Sequence, residues 1–348
     1  MEKFLGGKEI KKWFSIVLAL VLVLGLLAGC AGGKNPADDK ILRVGISWAH
    51  YNDALFYAWG DGIEAVLKEG YAANGYESVE FVSLVAEDDA AKQSSDISDL
   101  ITQGCDVIVA YAFDNQAIVS SVKECKDAGI PIVLWDRNVA AGAEYTPDLF
   151  VGLDTYDQAY IAGKEFFQKL KEQGVVATDI ISIIGATNDN NALNRQKGFE
   201  DAAAEFGLTI AQTVPSDWDA EKALTGFTTA YQAHPNCNVV LVASDFIISS
   251  VQTVLEANGA WKTNAEDGHI YICTQDGFPN GCQFMLDGYA DYSGMYNIEA
   301  MCSDFAEAIF QILKGEYKGE AELYSDPLIV DAADIGGMAD LWGIKYAG

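Results

Sequence analysis

The chain has 348 residues, 50% of them hydrophobic and 11% aromatic, with 51 acidic against 22 basic side chains and a formal net charge of −29. That length and apolar content suffice for two domains of ordinary size and exclude a disordered chain. So acidic a surface repels phosphate backbones, which excludes nucleic acid as a partner and keeps the protein soluble.

Taken in chain order, Lys8, Lys11 and Lys12 precede an apolar run that opens at Trp13 and closes on Leu27-Ala28-Gly29-Cys30. A basic stretch, an apolar stretch and a small-residue exit make a secretory signal over residues 1–29. The apolar run is short of the ~20 residues a membrane-spanning helix needs. Leu-Ala-Gly-Cys resembles the lipobox of bacterial lipoproteins, which implies that Cys30 carries the lipid and that the mature chain works outside the cytoplasm, anchored to the cell membrane. Residues 31–39 read Ala-Gly-Gly-Lys-Asn-Pro-Ala-Asp-Asp, small, polar and aperiodic, so residues 30–40 are expected to be a flexible tether.

From there short apolar runs alternate with longer amphipathic ones. Strands are expected over 42–48, 79–85, 106–110, 132–135, 150–153, 180–184, 209–214, 239–243, 270–274 and 290–293. Helices are expected over 53–68, 90–103, 116–128, 157–171, 191–206, 219–233 and 297–314. Alternation of Val/Ile-rich strands with helices predicts an α/β fold of parallel sheets covered on both faces. Ten strands exceed one ordinary sheet, so two doubly wound sheets are expected, with the break at 140–149, a loop containing Gly142 and Pro147. The cysteines after Cys30 form no CxxC pair and no small disulfide framework, and are read as buried free thiols. His50, His234 and His269 stand apart from other ligating residues, so no metal site is expected.

In open parallel sheets ligands bind beyond the carboxyl ends of the strands. The residues in those places are Trp48 and Asp53; Asp136 and Arg137; Asp189, Asn190 and Asn191; Asp217 and Trp218; Ser244 and Asp245; Gln275 and Asp276. Carboxylates, amides, one guanidinium and large aromatics suit a neutral polyhydroxyl ligand, whose hydroxyls pair with the planar groups and whose C–H face packs on an indole. Each motif also has a bland reading. Asp136-Arg137 can be a surface ion pair, Asn191 or Asp219 a helix cap, and Asp276-Gly277 a turn. Position at the carboxyl strand ends is what they share. Arg195 stands one turn beyond Asn191, on the same helix face. No GxGxxG follows the first strand, and neither GxxxxGK[ST] nor GxSxG occurs, so no enzyme signature and no cofactor site is evident.

The phrases VLWDRN, DNNALNRQKGF, DWDAEKAL, VASDF and TQDG, together with the lipobox signal, resemble the type I periplasmic sugar-binding proteins, the ribose, galactose and xylose receptors of ABC importers. The resemblance runs from Ile41 to about Asp331. It implies two Rossmann-like lobes joined by a three-strand hinge, residues 41–152 plus 294–323 and residues 153–293 plus 324–348, with the ligand in the cleft between them. It further implies a monosaccharide held by Asp53, Phe56 or Leu55, Asp136, Arg137, Asn191, Arg195, Trp218 and Asp276. Ser244-Asp245 stands where the family has Asn-Asp, leaving open which of the two takes that role, and Asn297 is the candidate at the third crossover. A monomer that delivers its ligand to the transmembrane subunits of an ABC permease is the implied working state. A receptor for a nucleoside or a furanose-type signal feeding a sensor kinase, and a cell-surface carbohydrate-active enzyme, are the alternative readings.

Overall fold

The computed structural model describes residues 40–187 and 189–347. The signal over 1–29, Cys30 and the tether up to Asp39 lie outside the described residues.

The chain opens with β1 (Ile41–Trp48), α1 (Ala54–Gly70), β2 (Ser78–Val85), α2 (Ala90–Thr102), β3 (Val107–Tyr111), α3 (Ile118–Ala128), β4 (Ile132–Trp135) and β5 (Leu149–Leu153). It continues through α4 (Thr155–Glu172), β6 (Ile180–Ile184), α5 (Asn190–Glu205), β7 (Ile210–Pro215), α6 (Ala220–Ala233), β8 (Val239–Val242), α7 (Ile248–Ala257), β9 (Tyr271–Asp276), α8 (Pro279–Leu286) and β10 (Tyr292–Met295). Last come α9 (Ile298–Leu313), β11 (Glu322–Ser325), β12 (Leu328–Asp331) and the short α10 (Trp342–Lys345).

These strands form two six-stranded sheets, ordered β11-β5-β4-β3-β1-β2 and β12-β10-β9-β8-β6-β7. Every pairing is parallel except β10 with β12. Strand order reverses at β1/β3 in one sheet and at β6/β8 in the other, the switch points beside which doubly wound sheets bind ligands. Central strands β3, β4, β5, β6 and β8 are buried along their whole length, which is why they read as continuous apolar runs. Edge strand β7 is largely exposed or half-buried, and its sequence mixes Gln and Thr with Ile and Val.

The loop at 140–149 joins β4 to β5 inside one sheet, so the expected break does not fall there. Among the described residues the chain passes between the sheets after β5, after β10 and between β11 and β12. Helix α9 returns to pack on α1 and β5 of the first lobe. Strand β10 itself belongs to the second sheet, where it pairs with β9 and β12.

Cys105, Cys125, Cys237, Cys273, Cys282 and Cys302 are free and buried, and burial pushes each thiol well above the ordinary range. Thiolate is the reactive form, so native protein should resist a disulfide reagent at pH 8, and these thiols should react together on unfolding in urea. Rapid titration of any of the six in native protein would contradict this packing.

Candidate functional site

The carboxyl ends of the two sheets face one another across a cavity of about 370 Å³. Asp53, Phe56 and Trp59 reach it from α1, and Tyr111, Phe113, Asp136 and Arg137 from the ends of β3 and β4. Across the cleft stand Asp189, Asn191 and Arg195 around the start of α5, Trp218 after β7, Ser244 after β8, Asp276 and Phe278 around the end of β9, and Tyr296 after β10.

The backbone bends sharply to deliver several of these groups. Asp136 (φ 62°), Asp217 (φ 51°), Trp218 (φ 58°) and Asp276 (φ 88°) all lie in the left-handed region. For side-chain-bearing residues that conformation costs on the order of 1–3 kcal/mol each and tends to gather at functional sites. Asp tolerates it better than most because its short polar side chain bonds locally. Trp218 does not share that excuse, and its neighbour Gly185 accommodates it. A Cβ built on Gly185 would sit 2.0 Å from the indole Cζ2.

Helix capping positions the acids. Asp53 Oδ1 accepts the amides of Leu55 (3.0 Å) and Phe56 (3.3 Å) at the head of α1. Asp189 caps α5 through Asn191 N (2.9 Å), which leaves the Asn191 side chain free to donate to Asp136 Oδ2 (3.3 Å). The other Asp189 oxygen accepts Trp218 Nε1 (2.9 Å) and pairs with Arg137 across the cleft (3.2 Å). Arg137 in turn lies over the Tyr111 ring at 4.8 Å.

Arg195 is 3% exposed and saturated with partners. It binds Asp276 Oδ1 (2.5 Å) and donates to the Ala243 carbonyl (2.9 Å), Gln158 Oε1 (3.0 Å) and Tyr296 Oη (3.4 Å). Tyr296 Oη donates to Asp136 Oδ1 (2.6 Å), so the two lobes are tied directly at this point. Burial pushes the Asp136 carboxyl up to about 6, against the pull of the Tyr296 hydrogen bond and of Arg137 and Arg195. Burial likewise raises Asp276, opposed chiefly by the Arg195 charge, and raises Asp53 against its capping amides.

Two buried donors in the lining have no partner, Trp59 Nε1 and Arg137 Nε. Enclosed donors of this kind are short of an acceptor. Aromatic surface surrounds them. Phe56 meets Trp59 edge-on at 5.3 Å, and Tyr111 closes on Phe56 at 4.9 Å. At the mouth His50 Nδ1 meets Asp88 Oδ1 at 2.7 Å.

A family model described as a periplasmic binding protein domain matches residues 44–317. The chain belongs to that family. Among curated relatives, the D-apiose import binding protein of Paraburkholderia graminis is 27% identical over 251 residues, 72% of this chain and 74% of the relative. The ribose import binding protein of Bacillus subtilis is 26% identical over 256 residues, 72% of this chain and 78% of the relative. Among solved structures, an ABC transporter periplasmic solute binding protein from Actinobacillus succinogenes, with bound D-allose, has a TM-score of 0.73 at 20% identity, covering 85% of this chain and 99% of that one. The arabinose-transporter binding protein of Shewanella sp. ANA-3 has a TM-score of 0.74 at 18% identity, covering 88% and 97%. At these identities the structural likeness speaks to the fold.

In this periplasmic binding protein Asp53, Phe56, Asp136, Arg137, Asn191, Arg195, Trp218, Ser244 and Asp276 all line the cavity. Asp245 and Asn297, expected at the ligand, do not. Asp245 is fully buried one residue beyond Ser244, where its two oxygens accept Gly277 N (3.1 Å) and Phe278 N (3.0 Å) and hold the start of α8. Burial and the nearby charge of Asp276 push its carboxyl far above the ordinary range. Asn297 turns back to cap α9 through Ala300 N (3.2 Å), and the cavity position falls to Tyr296 instead. Phe113 and Phe278 each stand two residues beyond a strand, where the carboxyl-end rule looks. Trp59 lies inside α1, where an indole gives the same pattern as core.

The left-handed turn at Trp218 yields a test. Gly185→Ala should expel the indole from its seat and weaken ligand binding about tenfold, the scale of a lost ring contact. Calorimetric titration and the shift in tryptophan emission report the two effects, and unchanged values for both would contradict the packing described.

Proposed function

We propose that this protein captures a neutral monosaccharide between its lobes and delivers it to an ABC permease, held at the membrane by a lipid on Cys30. The observation that carries the reading is the composition of the interlobe cavity. Carboxylates and an amide stand ready as acceptors and donors, two buried donors lack partners, and indole and phenyl rings supply packing for C–H faces. The names of the import binding proteins similar to this chain support the same ligand class.

Closure follows from where the groups stand. Asp53, Trp59 and Arg137 belong to one lobe and Asn191, Arg195, Trp218 and Asp276 to the other, so a ligand satisfies both sets only when the lobes meet, and it stabilises that form. No described helix is long and apolar enough to cross a membrane, and the anchor we propose is the lipid on the lipobox cysteine. An anchored receptor on a flexible tether works at high effective concentration beside its permease. The working unit we propose is a monomer.

Electrostatics sharpen the ligand class. Asp53, Asp136, Asp189 and Asp276 outnumber Arg137 and Arg195, and both guanidinium groups are already paired with carboxylates. Sugar acids and sugar phosphates should therefore be rejected. A thermal-shift screen of the purified chain against neutral pentoses, hexoses and polyols, their uronic acids, and nucleosides tests this. A neutral sugar at ~100 times its Kd should add about 2.7 kcal/mol of stability. A response to uronates or nucleosides with silence from every neutral sugar would overturn the assignment.

A further inference from the structure

Tyr296 closes the cavity at its crossover end, directly after β10, and is 3% exposed although it lines the cavity. Its ring is set edge-on against Trp59, with centroids 5.3 Å apart and planes at 90°, and Trp59 is itself 1% exposed and has no room to yield. The Arg195 guanidinium lies 5.9 Å from the ring centroid. The backbone is pinned as well, with Tyr296 N donating to the Asp276 carbonyl (3.0 Å) and the next residue serving as the cap of α9. The phenol is therefore a fixed wall. Phe113 and Phe246 also line the cavity but are exposed, so Tyr296 is a buried part of its wall where those two rings are not.

The chemistry of the phenol oxygen is as telling as its position. It donates to the carboxylate of Asp136 (2.6 Å) and accepts from the guanidinium of Arg195 (3.4 Å). Those are the two bonds that a sugar hydroxyl makes when it bridges an acid and an arginine.

We propose that Tyr296 is a specificity-determining residue that fits this cavity to a pentose-sized ligand, its phenol filling the space where a hexose carries its hydroxymethyl group and its Oη standing in for that hydroxyl between Asp136 and Arg195. The inference rests on the monosaccharide reading above and names the size class within it. A ring wedged against packed indole rejects an added group sterically, because interiors of this density do not yield without cost.

The test compares matched sugars that differ only by a hydroxymethyl group: D-ribose with D-allose, D-xylose with D-glucose, and L-arabinose with D-galactose. Calorimetric titration of the wild-type protein should find a pentose bound at least tenfold tighter than its hexose partner, within the roughly 10–200-fold range that a small added group commands. Tyr296→Ala opens the end of the cavity and should shrink or invert that ratio by at least tenfold. Tyr296→Phe keeps the wall and loses the hydroxyl, so the ratio should persist while pentose affinity falls. Tyr296→Gln, shorter and polar, gives the same reading as Tyr296→Ala if the alanine variant does not fold. Tighter wild-type binding of the hexose in each pair that binds, or a ratio unmoved in the folded shortened variant, overturns the inference while leaving the monosaccharide reading intact. Wild-type silence toward all six sugars overturns the size assignment, and the monosaccharide reading falls with it only where the wider screen of neutral sugars is silent too.

Discussion

Arg195→Met is expected to abolish ligand binding and to lower the unfolding free energy by about 3–5 kcal/mol, the cost of leaving a buried partner charge uncompensated. The arginine is enclosed by Asp276, Gln158, the Ala243 carbonyl and Tyr296, and each of those groups loses a donor when it goes. Asp276 suffers most, because it is 4% exposed and Arg195 is the largest influence opposing the rise that burial imposes on it. Gln158 carries the effect further. Its Nε2 donates to the Gly294 carbonyl of β10 (2.7 Å), so the arginine is linked through one side chain to the strand that leads into a crossover. Methionine keeps the volume while removing the charge, which separates electrostatic loss from cavity formation. Urea unfolding measures the stability and calorimetry the affinity. Adding Asp276→Asn to the Met variant should recover part of the stability, since asparagine tolerates the left-handed backbone at 276 and removes the orphaned charge. A stability loss below about 1 kcal/mol in the single variant would mean that the buried pair is not organised as described.

The central strands were legible in the sequence because a strand buried on both faces must be apolar throughout, as in Ile180–Ile184 and Val239–Val242. Strands Glu322–Ser325 and Leu328–Asp331 were not, since each has four residues, is only partly buried and carries acidic side chains. Helix Pro279–Leu286 is too short for a periodic pattern to declare itself. The site divides in the same way. Residues that follow a strand at once, such as Asp136 and Arg137, fall where the carboxyl-end rule puts them. Ser244 and Asp245 are adjacent and both polar, and only the turn geometry, with Asp245 reaching the amides of Gly277 and Phe278, decides that the serine faces the cavity. Tyr296 and Asn297 divide by the same local contest, since a cap residue that bonds its own helix is withdrawn from the ligand.

The direct ties between the lobes carry a consequence for stability. Arg137 with Asp189, and Asn191 with Asp136, join the two halves through groups that a ligand also needs, while the Tyr296 bond to Asp136 stays in place as part of the cavity wall. Capture therefore exchanges some protein–protein hydrogen bonds for protein–ligand ones, and the net gain comes from covering the aromatic surface of the lining. Groups arranged in this way serve binding at the expense of the protein's own stability.

Asp136→Asn should expose that opposition most plainly, raising stability at neutral pH while weakening the ligand 10–100-fold or more, as losing a charge-assisted hydrogen bond does. Burial lifts the Asp136 carboxyl from its ordinary 3.8 to about 6, so the folded protein holds this proton more tightly than the unfolded chain does. The favourable contribution of the group is then fully present below pH 3.8 and is lost as pH rises through about 6. At pH 7 the buried carboxylate costs the folded state on the order of 3 kcal/mol, about two pKa units at 1.36 kcal/mol each. Asparagine removes that cost. It also tolerates the φ of 62° and keeps one oxygen to accept from Tyr296 Oη, so strain does not offset the gain and only the acceptor for Asn191 Nδ2 is given up. The stability difference between variant and wild type should accordingly be largest at pH 7 and above and should close as pH falls from 6 toward 4. Denaturant unfolding across that range, with calorimetric titration at pH 7, measures both sides. A difference that is flat with pH would locate the origin of the stabilisation somewhere other than the buried charge, and an asparagine variant that binds as tightly as wild type would remove Asp136 from the ligand site.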